Sequence, residues 1–250
     1  MDPLVSTRVS IRWPPAPPTD HQAVCVIQGR SGFFLDLRVK RTPGLDVGEK
    51  DCEVAWATAG WKELLPAKAE EGQQHDRARF TPVLDSRRPS ASSSTAPPSE
   101  DLSAQPDEGT FTPLPNGDVL ETGSMLNPDT GIVQDYEEIW RRLPLQAGCE
   151  NGKAVEVTIL ESRSTRGRAF LGRVGDYEIG MEDAEKGFGV VQRVRREGEW
   201  QTVCCNEAGS GLPAVPLEVP AWEHGSTVEL GGRMWQVLEH SANLRERAST

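Results

Sequence analysis

Short segments in which apolar and polar residues alternate run through this chain, and turn formers interrupt them about every 8 to 12 residues, the rhythm of barrels and sandwiches. The plainest case is Phe33 to Lys40, where Phe33, Leu35, Leu37 and Val39 alternate with Phe34, Asp36, Arg38 and Lys40. A period of two sends successive side chains to opposite faces of a strand. Val5, Thr7, Val9, Ile11 and Trp13 follow the same rule, and so do Cys52, Val54, Trp56 and Thr58. Hairpins follow from the turns between segments. Residues 23–27 and 33–40 flank Gln28 to Gly32; residues 111–114 and 119–125 flank Pro115-Asn116-Gly117-Asp118. Asn-Gly suits the positive φ values of a tight hairpin turn. In the second half, Gly175-Asp176, Arg196 to Glu199 and Gly231-Gly232 play that part. Pro82 places the segment 80–84 at an edge or a bulge, because proline donates no ladder hydrogen bond.

With 24 Gly, 19 Pro and 36% hydrophobic residues in 250, the composition favours many short elements over a few long helices. The expected fold is all-β: two small antiparallel barrels in tandem, since closure removes exposed strand edges. The first covers residues 1–144 and the second 145–250, with a polar connection at 145–153. One stretch breaks the alternation. Ile132, Tyr136, Ile139, Trp140 and Leu143 share a helical stripe, with acids early, arginines late and Pro144 at the end. A short amphipathic helix over 132–143 is therefore expected to join the barrels, and a helical turn is expected over 61–69. Residues 86–109 hold one bulky apolar side chain, Leu102, and read as a Ser/Pro-rich disordered insert, either a phosphorylated segment or a plain linker.

A net charge of -11 argues against nucleic acid and anionic membranes as partners, both of which demand clustered Lys and Arg. The N-terminus lacks a basic-then-apolar leader and no apolar run approaches the roughly 18 residues of a span, so a soluble intracellular protein is expected. The five cysteines, Cys25, Cys52, Cys149, Cys204 and Cys205, are odd in number and form no CxxC, which reads as reduced thiols. Of the adjacent Cys204 and Cys205, one should face inward as a small hydrophobe. His21, His75, His224 and His240 are scattered, and no metal or cofactor is implied; GxSxG, GxGxxG and phosphate-loop patterns do not occur. No residue is assigned a catalytic role. Asp135, Tyr136, Glu137 and Glu138 have two readings, an acid/base cluster at a barrel mouth or solvated charges at a helix start. Trp13, Trp56 and Trp200 sit on faces that look buried, where they either fill a barrel or line a pocket for an apolar ligand. The cluster WPPAPP from Trp13 is a polyproline ligand or, more simply, a link between strands.

SGFFLDLRVKR, ARFTPVLDSR and NGDVLETGSMLNPDTGIVQDYEEIWRRL, in this order, resemble the fungal HRI protein family, with the NPDTG turn before YEEIW as the most specific part. The resemblance implies tandem lipocalin-like barrels, a cytosolic and also nuclear location, and protein partners that include a casein kinase I-type kinase or a translocon-associated protein. It brings no catalytic residues. The resulting expectation is a non-enzymatic interaction protein, possible as a homodimer, with a small-apolar-ligand binder and a lipocalin-like isomerase or cyclase as alternatives.

Overall fold

The computed structural model describes residues 1–41, 52–70, 73–88, 107–145, 155–164, 167–185, 187–217 and 221–241. Among them every regular element is a strand. The first eight are β1 (Leu4–Arg12), β2 (Gln22–Gln28), β3 (Phe33–Lys40), β4 (Val54–Glu70), β5 (Gln73–Asp85), β6 (Asp107–Pro113), β7 (Val119–Asn127) and β8 (Ile132–Arg142). They pair antiparallel in sequence order, and β8 returns to β1 to close a barrel. The rest are β9 (Val157–Ser164), β10 (Gly167–Val174), β11 (Tyr177–Ala184), β12 (Gly187–Arg196), β13 (Glu199–Cys205), β14 (Thr227–Leu230) and β15 (Arg233–Ser241). These form a sheet in the order β13-β12-β11-β10-β9-β15-β14.

The expectation of an all-β chain with a closed barrel in its first half holds, and the hairpins fall where the turns placed them. Three expectations are corrected. Residues 132–143 form no joining helix: 132–142 are strand β8, hydrogen-bonded to β1 on one side and β7 on the other. Ladder partners on both edges outweigh the helical spacing of its apolar residues, which was fortuitous. Residues 61–69 likewise lie in β4, paired with β5. The second half is an open sheet among the described residues, because its outer strands β13 and β14 do not pair with each other. Most of the insert 86–109 and most of the connection 145–153 lie outside the described residues.

Inside and outside are set by how the halves meet. Leu35, Leu37, Val5 and Ile27 of the barrel pack with Val157, Ile159, Phe170 and Met181 of the sheet in one cluster, each at most 1% exposed. The Phe33 and Phe170 rings stand 4.9 Å apart. Each such side chain stabilises the contact by about 1.5–3 kcal/mol. At Gly172 of β10 a Cβ would lie 2.8 Å from Leu35 Cδ1 and 2.9 Å from Ile27 Cδ1, so glycine lets the two layers approach. The apolar stripe of β3 therefore points out of the barrel toward the sheet, and its other stripe points in.

A disulfide between Cys52 and Cys204 ties the halves together. This corrects the expectation of wholly reduced thiols: the partners are 152 residues apart and only the docking of the halves brings them together. Cys25 is a buried free thiol, Cys205 stays outside the disulfide, and Cys149 lies outside the described residues. The far face of the sheet is filled. Leu160, Leu171, Val191, Trp235 and Val237 pack beneath Leu212 and Val215. Arg193 donates to the carbonyls of Leu212 and Pro213, and Glu178 accepts the Val215 N–H, pinning that loop down. At the β12–β13 turn Glu197 and Gly198 have φ of 52° and 88°, the positive pair a tight hairpin needs.

Candidate functional site

Because the apolar stripes face the sheet, the barrel interior receives the other stripes, which carry charge and aromatic rings. Phe34, Asp36 and Arg38 of β3, Trp56, Thr58 and Lys62 of β4, Phe80 of β5, Asp107 and Phe111 of β6, Glu121 of β7, and Glu138 and Trp140 of β8 all line one cavity of about 460 Å³. Two cross-strand pairs set opposite kinds of side chain face to face: Phe80 opposite Asp107, and Phe111 opposite Glu121. Opposed residues have Cβ atoms roughly 5 Å apart, so each acid stands beside a ring.

The floor is an ion-pair network. Arg8 Nη1 donates to Glu138 Oε1 at 2.6 Å, and Arg38 Nη1 reaches the same oxygen at 3.2 Å. Arg38 also holds Asp36 Oδ2 through Nε at 3.0 Å and Nη2 at 2.8 Å. Burial disfavours the charged Arg38, but Asp36 and Glu138 outweigh it and its pKa lies above the ordinary value. Trp56 lies against Arg38, whose Cζ is 4.7 Å from the ring centre, and its indole N–H donates to Asp85 at 2.8 Å. A network this buried fixes geometry more than it adds stability, since desolvation offsets most of the attraction.

Above the floor stand carboxyls with no arginine. Tyr136 donates to Glu121 Oε1 at 3.1 Å and lies 3.4 Å from Asp107 Oδ2. Two glycines opposite each other, Gly109 on β6 and Gly123 on β7, make this arrangement possible. A Cβ at Gly109 would sit 2.6 Å from the Glu121 carboxyl, and one at Gly123 2.7 Å from the Tyr136 hydroxyl. Desolvation, then repulsion from Glu138 and Asp107, pushes Glu121 up to about 8 against the opposing pull of Lys62. Desolvation and Glu138 raise Asp107 to about 6. Tyr136 is held well above its ordinary value by burial and by these acids. Burial lowers the Lys62 pKa, and its Nζ lies 4.7 Å from the Phe111 ring centre and 5.4 Å from that of Phe80.

Three polar atoms of cavity-lining residues, Asp36 Oδ1, Thr58 Oγ1 and Trp140 Nε1, are buried out of reach of solvent without a hydrogen-bond partner. Asp36 and Thr58 are directly opposed on β3 and β4. An unmet buried polar group costs about 1–3 kcal/mol, so these residues hold an unfavourable contribution behind the cavity wall.

The model of the Protein HRI1 family matches residues 4–239. The chain belongs to this family. No curated protein matches the chain. A crystal structure of an uncharacterised protein from Saccharomyces cerevisiae is similar at 18% identity with a TM-score of 0.71, covering 97% of this chain and 100% of that one. At that identity the likeness shows the shared fold alone.

The residues singled out from the sequence are divided by the strand period. Glu138 lines the cavity and Tyr136 reaches its acids, whereas Asp135 bonds Ser124 on the exposed side and Glu137 pairs with Arg12. Trp56 lines the cavity. Trp13 packs edge-on against Tyr136 with ring centres 6.1 Å apart, and Trp200 lies beneath Arg173 in the second half. Cys204 is buried, as one of the pair was expected to be, but as half of the disulfide. Sequence reasoning missed Arg8, Asp36, Arg38, Asp107 and Glu121. A signal was present in β3: Asp36 and Arg38, opposite charges two residues apart on the face that also carries Phe34, mark an inward ion pair.

Proposed function

We propose that the N-terminal barrel is a binding site for a small amphipathic molecule, refining the apolar-ligand alternative drawn from the sequence. The observation that carries this reading is a cavity that sets the rings of Phe34, Phe80 and Phe111 beside Asp107, Glu121 and Lys62. A cavity of about 460 Å³ is of the size that holds small molecules, whose sites span roughly 300–1,000 Å³. Rings supply the apolar contact and the charged groups beside them fix orientation, so a ligand of wholly apolar character would leave those charges without a partner.

Native mass spectrometry of protein purified from its source should show a bound species, and Phe111→Ala should weaken its retention while thermal unfolding stays within a few degrees. A bare mass from source material, together with a high-resolution structure in which ordered water alone fills the cavity, would overturn the proposal.

A further inference from the structure

Acids outnumber bases along this cavity. Asp36, Asp76, Asp107, Glu121 and Glu138 face Arg38, Lys62 and Arg142, with Arg8 behind Glu138, and Arg8 and Arg38 are engaged by Asp36 and Glu138. Asp107 and Glu121 are left to Lys62 and a tyrosine hydroxyl, each standing opposite an aromatic ring. Lys62 already brings an amine to this place. Its Nζ lies over the faces of Phe80 and Phe111, and among the described residues it is within salt-bridge distance of no carboxylate. Rings attract cations through their negative faces, and a desolvated cation gains more from this than an exposed one.

Resting on the reading of the barrel as a ligand site, we propose that its ligand is a small organic cation, an ammonium or amidinium group on an apolar body. The charge sits beside Glu121 and Asp107, and the body lies among Phe34, Phe80 and Phe111. The flexible Lys62 side chain gives up its place over the rings and turns toward Asp76, a carboxylate on the same cavity lining. Glu121 gives up its proton to solvent as the cation arrives, so the charge of the cavity changes little. The charged groups around this exchange are Glu138 from β8, Asp107 from β6, Lys62 from β4, Asp76 from β5, Arg38 from β3 and Arg142 from β8.

The experiment is calorimetric titration of the full chain with phenyltrimethylammonium and with tert-butylbenzene, its uncharged isostere, in two buffers of different ionisation heat. The cation is expected to bind at least tenfold more tightly than the isostere and to release about one proton at pH 7. Its affinity should rise up to tenfold per pH unit as pH approaches the Glu121 value of about 8, then level off. Glu121→Gln should abolish the proton release and the pH slope. Tight binding of tert-butylbenzene with no preference for the cation overturns the cation proposal and leaves the cavity reading standing. Cation binding without proton release overturns the exchange at Glu121. Failure of both molecules to bind overturns the cation proposal together with this part of the cavity reading.

Discussion

The barrel β1–β8 and the sheet β9–β15 are built from strands of the same alternating kind, yet the barrel holds a cavity of about 460 Å³ and the sheet's far face is filled by Trp235 and its neighbours. What differs is which stripe each half turns toward the other. Both halves give aliphatic side chains to their common layer. The barrel is then left with Asp36, Arg38, Asp107, Glu121 and Glu138 for its interior, and charged groups that must keep apart or be hydrated do not close up as hydrocarbon does. The sheet is left with Leu160, Leu171 and Val237, which close around an indole and are covered by Leu212 and Val215. Docking an apolar outer face against a partner layer is thus what allows a barrel to keep a polar, hollow interior.

The contrast is broken or sharpened first by paired truncations. Trp235→Ala should destabilise the protein by about 4 kcal/mol, because a fully buried ring leaves a void in a filled layer. Phe111→Ala, which faces existing space, should cost about 1 kcal/mol. Equal losses in urea unfolding would mean that the barrel interior is as tightly packed as the sheet. Next in size is the covalent tie. Reducing Cys52–Cys204, or replacing Cys52 by Ser, should cost about 3 kcal/mol, the usual size of effect for losing a native crosslink. Matched unfolding curves with and without reductant would show that apolar contact alone holds the layers.

The smallest effect depends on pH. Glu121 has its folded pKa raised to about 8, so the folded state holds a proton that the unfolded chain has lost above about 4.5. Stability from this group is therefore present below pH 4.5, declines as pH rises, and is fully lost above pH 8. Glu121→Gln should raise stability at pH 9 and leave it unchanged near pH 4. A variant that is no more stable than the parent at pH 9 would show that the carboxylate is already well solvated inside the barrel.

Much of the architecture was legible before any coordinates. Residues 33–40 and 119–125 alternate cleanly, and Asn116-Gly117 and Gly175-Asp176 are turn chemistry that hardly admits another structure. Pro82 was read as a bulge or edge, and it pairs with Gly60 where the β4–β5 register shifts. Residues 132–142 misled because their inward side chains, Tyr136, Glu138 and Trp140, are not uniformly apolar. A strand facing a polar interior loses the hydrophobic half of its alternation, and a helical spacing then fits by chance. The cavity residues were illegible for the same reason: Asp36 and Arg38 look like a solvated face until a second layer covers the opposite one.

Local chemistry in the chain determined that it would be extended strands joined by tight turns, because a period of two and positive-φ residues are properties of neighbours in sequence. Which stripe became the interior, the coming together of Cys52 with Cys204, the single closure of two sheets, and the gathering of Glu121, Asp107 and Tyr136 were decided only by tertiary structure. Each depends on groups far apart in sequence whose burial has meaning only once the two layers dock.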